Sequence, residues 1–233
     1  MAMIMNRQTN LFADSASYGP RERGRQVLAG LVLCAVLVAS STFSHAEDDP
    51  ATLLDQTIQS ALKEFSESRN RLAGDMPALL LLLDRTVVPL FDFDRIARLV
   101  LAKHWKNASQ QQRDAFSVEF KRLMIATYSS ALFKYNGEQY VKILDKEIKE
   151  KKQRFLATVR TELVLGGGSA PVPVDYFMIR TGDDGPWRIY NLSVAGLNMV
   201  INYRGVFQSA ILEKGLTGTI DSLRESNDRF LTS

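Results

Sequence analysis

The segment PVPVDYFMIRTGDDGPWRIYNLSV, residues 171–194, reads as two β-strands joined by a tight turn. β-Branched and aromatic residues crowd both sides of Gly182-Asp183-Asp184-Gly185, whose composition suits a reversal and little else. Two earlier runs have the same character, Gln139 to Ile148 and Arg154 to Leu165. Lys149 to Lys152 separates those two, and Gly166-Gly167-Gly168-Ser169 separates the second from the quoted segment. Each linker is short enough for a hairpin or near-hairpin, so the four runs predict a four-stranded antiparallel meander over 139–194. In the third strand Val172, Val174, Tyr176 and Met178 share one parity while Phe177 and Ile179 share the other. Such a strand needs cover on both faces, or cover on one and a ligand on the other.

Upstream the period changes from two to between three and four. Asp49 before Pro50 is an N-cap with proline at the first helical position, opening a helix through Leu53, Leu54, Ile58, Leu62 and Phe65. Gly74 and Asp75 end it and start the next, where Leu79 to Leu83 are consecutive leucines. That helix, Met76 to Val88, is apolar all round and is expected to be buried on most sides, with Pro89 ending it. Asp92 caps a helix through Ile96, Leu99 and Val100, and Ser109 with Gln112 forms a capping box for a long helix reaching about Tyr135. After the strands, helix resumes from Leu197 to Glu213, breaks at Gly215 and continues toward Arg229. The fold class is therefore α+β, a four-stranded antiparallel meander packed with N-terminal (49–135) and C-terminal (197–229) helices in a single domain, 47–233.

The first 46 residues read as an address. Arg21, Arg23 and Arg25 precede an apolar run from Val27 to Val38, too short for a bilayer core that needs ~20 residues, and Ser44-His45-Ala46 supplies small residues for a signal peptidase. Cleavage after Ala46 leaves 25 basic against 24 acidic side chains, so no bulk charge argues for nucleic acid. It also removes Cys34, the single cysteine, and with it thiol chemistry and cysteine-ligated metal.

The remaining chain is poor in catalytic groups. His104 becomes the one histidine, in Lys103-His104-Trp105-Lys106 at a helix end, where a structural or docking role outweighs catalysis. No serine sits in a Gly-x-Ser-x-Gly elbow. Gly166-Gly167-Gly168-Ser169 lacks the following Gly-Lys-Ser/Thr of a phosphate loop and joins two strands. Asp92 and Asp94 alternate with Phe91 and Phe93, but Asp92 is accounted for by capping. Lys142, Lys146, Lys149, Lys151, Lys152 and Arg154 form one charge cluster, read as a solvated edge that discourages strand pairing or as a docking surface for an anionic partner or membrane.

Two stretches resemble the MlaC family of periplasmic phospholipid-binding proteins, also known as toluene-tolerance auxiliary transport proteins. The first runs from Phe91-Asp92-Phe93 through Ala97-Arg98-Leu99-Val100-Leu101, His104-Trp105, Gln112-Arg113, Phe116 and Glu119-Phe120 to Thr127-Tyr128 and Ala131-Leu132. The second comprises Trp187-Arg188-Ile189-Tyr190, Gly196, Asn202-Tyr203-Arg204, Phe207, Leu212, Lys214-Gly215-Leu216, Ile220 and Leu223. Family members carry aspartate where Asn191 stands and glutamate where Ala195 stands. The resemblance implies a periplasmic carrier of phospholipid that maintains outer-membrane lipid asymmetry. It further implies exchange with an outer-membrane lipoprotein complex and an inner-membrane ABC transporter. Beside it, the chain is expected to be a monomer that needs no cofactor and catalyses no reaction.

On that reading the acyl chains lie in an apolar cavity between sheet and helices. The candidate contacts are Leu83, Val87, Tyr128, Leu132, Val174, Tyr176, Met178, Leu192, Met199 and Tyr203. Two rivals use a similar cavity, an enzyme acting on lipids and a solute-binding component for small apolar or aromatic compounds. The first needs a nucleophile–base pair, and the second a pocket of only a few hundred cubic ångströms.

Overall fold

Asp49 caps helix α1 (Pro50–Leu72) as its side chain suggests, accepting a hydrogen bond from the Thr52 amide at 3.2 Å. The computed structural model describes residues 49–72, 75–133 and 135–232; the leader through Ala46 lies outside them. Asp75 caps α2 (Met76–Thr86) through the Ala78 amide at 2.9 Å, and Val88–Leu90 follows as one turn of 3₁₀-helix containing Pro89. The leucine run of α2 is not buried on most sides. Leu79 and Leu82 are buried against α1 with Leu132 of a later helix packed on the same group, whereas Leu81 is 72% exposed, because these neighbours leave its side of the helix to solvent.

Helix α3 (Phe93–Leu101) starts on Asp92, whose side chain accepts from the Arg95 amide at 2.9 Å. Ala102 then takes a positive φ of 49°, and a short α4 (Lys103–Asn107) leads to α5 (Gln110–Phe133). The capping box is present: the Ser109 amide donates to Gln112 Oε1 at 2.9 Å and the Gln112 amide to Ser109 Oγ at 3.2 Å. Helix α6 (Met199–Thr232) is kinked at Gly215, where φ of 72° interrupts it. No helix among the described residues is long and apolar enough to cross a membrane.

The sheet has five strands, not four. Strands β1 (Tyr140–Glu150), β2 (Arg154–Val164), β3 (Val172–Thr181) and β4 (Arg188–Val194) form the expected meander, and β5 (Leu197–Asn198) adds to its end in the order β1-β2-β3-β4-β5. Ala195 and Gly196 both hold positive φ, 50° and 80°, which makes a two-residue hairpin turn that folds Leu197 and Asn198 back onto Val194 and Ser193. The chain thus pairs once more before α6 begins, and the helix starts at Met199 instead of Leu197.

One feature of β4 aims side chains. Phe177 pairs with Asn191 while Met178 pairs with Ile189, so Tyr190 is the extra residue of a β-bulge. The segment before α3 is tied to this strand by the Asp92 amide donating to the Ile189 carbonyl at 2.9 Å.

Candidate functional site

Among the described residues three groups of buried side chains hold the fold. Phe116 and Phe120 of α5 meet Phe207 of α6 with ring centroids 5.0 and 5.9 Å apart, joined by Ile96 and Val100 of α3. Leu54 of α1 and Leu90 pack on Ala157, Val159, Met178 and Ile189 of the sheet. Phe65 and Leu72 of α1 pack on Leu79 and Leu82 of α2. Where the three groups meet they leave a cavity of about 280 Å³. Phe93, Ile96, Phe120 and Val200 face it from the first group, Ile189 and Leu192 from the second, and Leu83 and Leu132 from the third. Each wall is stabilised by its own packing, so the hollow at their seam is not filled by any of them.

The lining is apolar, with no charged side chain among its described residues. Its polar atoms are few and mostly engaged. Asn191 Oδ1 accepts from the amides of Leu192 at 2.9 Å and Val200 at 3.2 Å, which satisfies a donor at the start of α6. The Tyr128 hydroxyl donates to Met199 Sδ at 3.7 Å. Burial, and after it the hydroxyl of Tyr128 nearby, pushes the Tyr203 phenol well above its usual range. Such a surface can shelter hydrocarbon and offers almost nothing to a charged or strongly hydrated ligand.

Seven of the ten residues proposed from sequence line this cavity: Leu83, Val87, Tyr128, Leu132, Leu192, Met199 and Tyr203. The three from β3 do not. Met178 is fully buried and Val174 is 7% exposed, while Tyr176 packs beside Met178 and burial pushes its phenol up to about 12. Sequence reasoning missed Phe91 and Phe93, which stack at 5.5 Å and both line the cavity, and also Met124, Ile125 and Val200. The Phe91/Phe93 alternation around the cap was the one available signal. His104 lies in α4, outside the lining, with Nε2 buried and lacking a hydrogen-bond partner. Among the described residues no group of three His, Cys, Asp or Glu side chains is placed to hold a metal ion.

Comparison with known proteins gives a consistent picture. Residues 55–225 match the family model described as MlaC protein. The chain is 24% identical over 196 residues to the Haemophilus influenzae intermembrane phospholipid transport system binding protein MlaC, covering 84% of this chain and 89% of that one. It is 27% identical over 192 residues to toluene tolerance protein ttg2D of Pseudomonas putida, covering 81% and 86%. The fold matches that of the phospholipid-binding protein from Ralstonia solanacearum, solved in complex with a phospholipid. That likeness has a TM-score of 0.69 at 23% identity, over 78% of this chain and 98% of that one.

Proposed function

The chain belongs to the MlaC family, and from that premise we propose that it is a soluble periplasmic carrier that shuttles phospholipid between the outer and inner membranes. The observation that carries the reading is the uncharged, apolar cavity at the meeting of three core groups. In this reading the leader is cleaved after Ala46 and the acyl chains enter the cavity. The headgroup remains outside, and lipid passes between an outer-membrane lipoprotein complex and an inner-membrane ABC transporter, preserving outer-membrane asymmetry. No cofactor or bond-breaking step is required.

The energetics of such a role are those of exchange. Two acyl chains bring on the order of 30 methylenes, each worth ~0.8 kcal/mol on leaving water, yet a bilayer shelters the same methylenes equally well. A carrier that matches the bilayer can load and unload. One that greatly outbid it could not release its cargo.

The cavity volume of about 280 Å³ favours a second reading, since it falls at the small end of ligand pockets, roughly 300–1,000 Å³. A small apolar or aromatic solute would fill it as it stands, whereas a two-chain lipid requires the three walls to part. Native mass spectrometry of the protein purified from a Gram-negative host separates the two. Copurified mass equal to intact phospholipid is the expected result. A small aromatic adduct would replace the carrier reading with the solute-binding one, and fatty acid or lysolipid alone would point to hydrolysis.

A further inference from the structure

The six cations of the β1–β2 region divide into two groups. Lys142 faces Glu162 at 4.0 Å, Lys149 faces Glu147 at 2.7 Å, and Lys146 is paired with Asp49. Among the described residues no carboxylate pairs with Lys151, Lys152 or Arg154. These three instead converge with Arg95 of α3 around a second cavity, of about 420 Å³, that shares no lining residue with the apolar one. From this arrangement the geometry points to a binding site for a phosphate group.

The site is built by the hairpin turn. Lys151 and Arg154 exchange backbone hydrogen bonds of 2.7 and 3.1 Å across Lys152 and Gln153, whose φ values are 50° and 58°. A two-residue turn of that type prefers asparagine and glycine, the residues that tolerate positive φ. Here a lysine and a glutamine occupy both positions, so a cation is kept where an easier residue was available. On the other wall, Asp92 Oδ2 holds Arg95 Nε at 2.8 Å, which fixes the guanidinium while its terminal nitrogens meet no carboxylate among the described residues. Leu99, Leu156 and Ile179 give the cavity an apolar floor, and the bulged Tyr190 adds a phenol.

A solvated edge strand needs charge but no concavity. Arg95 is paired with Asp92, but Lys151, Lys152 and Arg154 gathered beside it repel one another until an anion enters, and an arginine fork beside lysine ammonium groups suits the several oxygens and double charge of phosphate. Asp183 and Asp184 belong to the adjacent turn, which is joined to the hairpin by the Gly182 amide donating to the Gln153 carbonyl at 2.9 Å, but neither lines the cavity. The phosphate can arrive as the headgroup of an anionic phospholipid at a bilayer surface or as free phosphate. In either case the site is independent of the carrier reading.

The test uses the full chain expressed in a Gram-negative host and two probes. Inorganic phosphate is titrated by calorimetry, and flotation is measured on phosphatidylcholine vesicles with and without phosphatidylglycerol. The test variant is Lys151→Gln/Lys152→Asn/Arg154→Gln, and the control is Lys142→Gln/Lys149→Gln. At an anionic surface each cation is worth about a fivefold factor, so the triple variant should bind roughly a hundredfold more weakly while the control holds. Saturable binding of phosphate assigns the free anion, and binding confined to phosphatidylglycerol vesicles assigns the headgroup. The proposal is overturned if the wild type binds neither probe, if the triple variant binds as the wild type does, or if the control loses as much. It is also overturned if the triple variant loses its copurified apolar cargo, because the cations would then serve the other cavity. Should the triple variant not fold, Lys152→Asn alone relieves the strained turn and is expected to weaken binding about fivefold; unchanged binding there refutes the site.

Discussion

The sheet meets two different neighbours with the same kinds of side chain. At Val159 and Met178, both fully buried, it is packed solid against Leu54 of α1 and Leu90. At Leu192, on the next strand, it borders a hollow of about 280 Å³. Composition does not separate these regions, since both are aliphatic and aromatic. The difference is what stands opposite. Helix α1 delivers Ala51 and Leu54 onto the sheet, whereas the far side of the hollow is made by α2, α5 and α6 side chains already packed in groups of their own. A cavity arises here because three self-sufficient walls meet.

The largest expected effect lies in the solid region. Met178→Glu places a carboxylate at a fully buried position among apolar side chains, and should destabilise by about 4 kcal/mol or more. In a chemical melt the variant should lose most of its cooperative transition. A mild melt would mean that this face opens as readily as the hollow does.

The next effect tests whether the α5–α6 wall is held independently of the hollow. Glu119, only 5% exposed, accepts from Arg122 at 2.9 Å, from Arg224 at 3.2 Å and from Asn227 at 2.8 Å. Glu119→Ala leaves the buried Asn227 amide with only its bond to the backbone carbonyl of residue 119, at 3.0 Å, and removes a clamp between the two helices, at an expected cost of about 2–3 kcal/mol. If the wall acts as a unit, the destabilised protein should still extract with its full apolar cargo. Loss of cargo in proportion to stability would tie the hollow to this clamp.

Leu192→Glu completes the contrast. Its carboxylate faces open volume that can admit water, so destabilisation should stay below about 2 kcal/mol, while retained cargo should fall sharply. A collapse as severe as that of Met178→Glu would make the hollow a packed core under another name.

This contrast also explains what was legible in the sequence. Caps at Asp49, Asp75 and Asp92 and the Ser109–Gln112 box are local chemistry, readable wherever a short polar side chain precedes a helix. The four longer strands carried their own alternation. Strand β5 did not, because two residues are too few for a period and alanine at Ala195 does not advertise a positive φ. For the site, the two apolar parities of β3 call for cover on both faces, or for cover on one and a ligand on the other, and carry no signal that separates the two. The residues of α1 that settle it lie more than a hundred positions earlier. Phe93 and Ile96 were assigned to a helix without a direction, since the face a short helix turns toward a hollow depends on elements packed against it elsewhere.

The smallest effect concerns how α1, the cover of the solid region, is pinned to the sheet. Asp49 caps α1 and is also paired with Lys146 of β1. Burial acts first on its carboxyl, upward, but hydrogen bonds from Lys146 and Thr52 outweigh it and hold the group below the ordinary 3.8. A carboxyl lowered in the folded state stabilises above its unfolded value and loses that contribution as pH falls through the folded one. Asn caps a helix about as well as Asp, so Asp49→Asn removes the charge and keeps the cap. The variant should be less stable by about 0.5 kcal/mol at pH 7, the scale of a partly exposed ion pair, and the two proteins should converge as pH falls below the ordinary carboxyl value. Urea melts at pH 7 and pH 3 decide it. No difference at either pH would mean that Asp49 stabilises α1 through its cap alone, and that Lys146 contributes nothing to fixing the cover over the filled face.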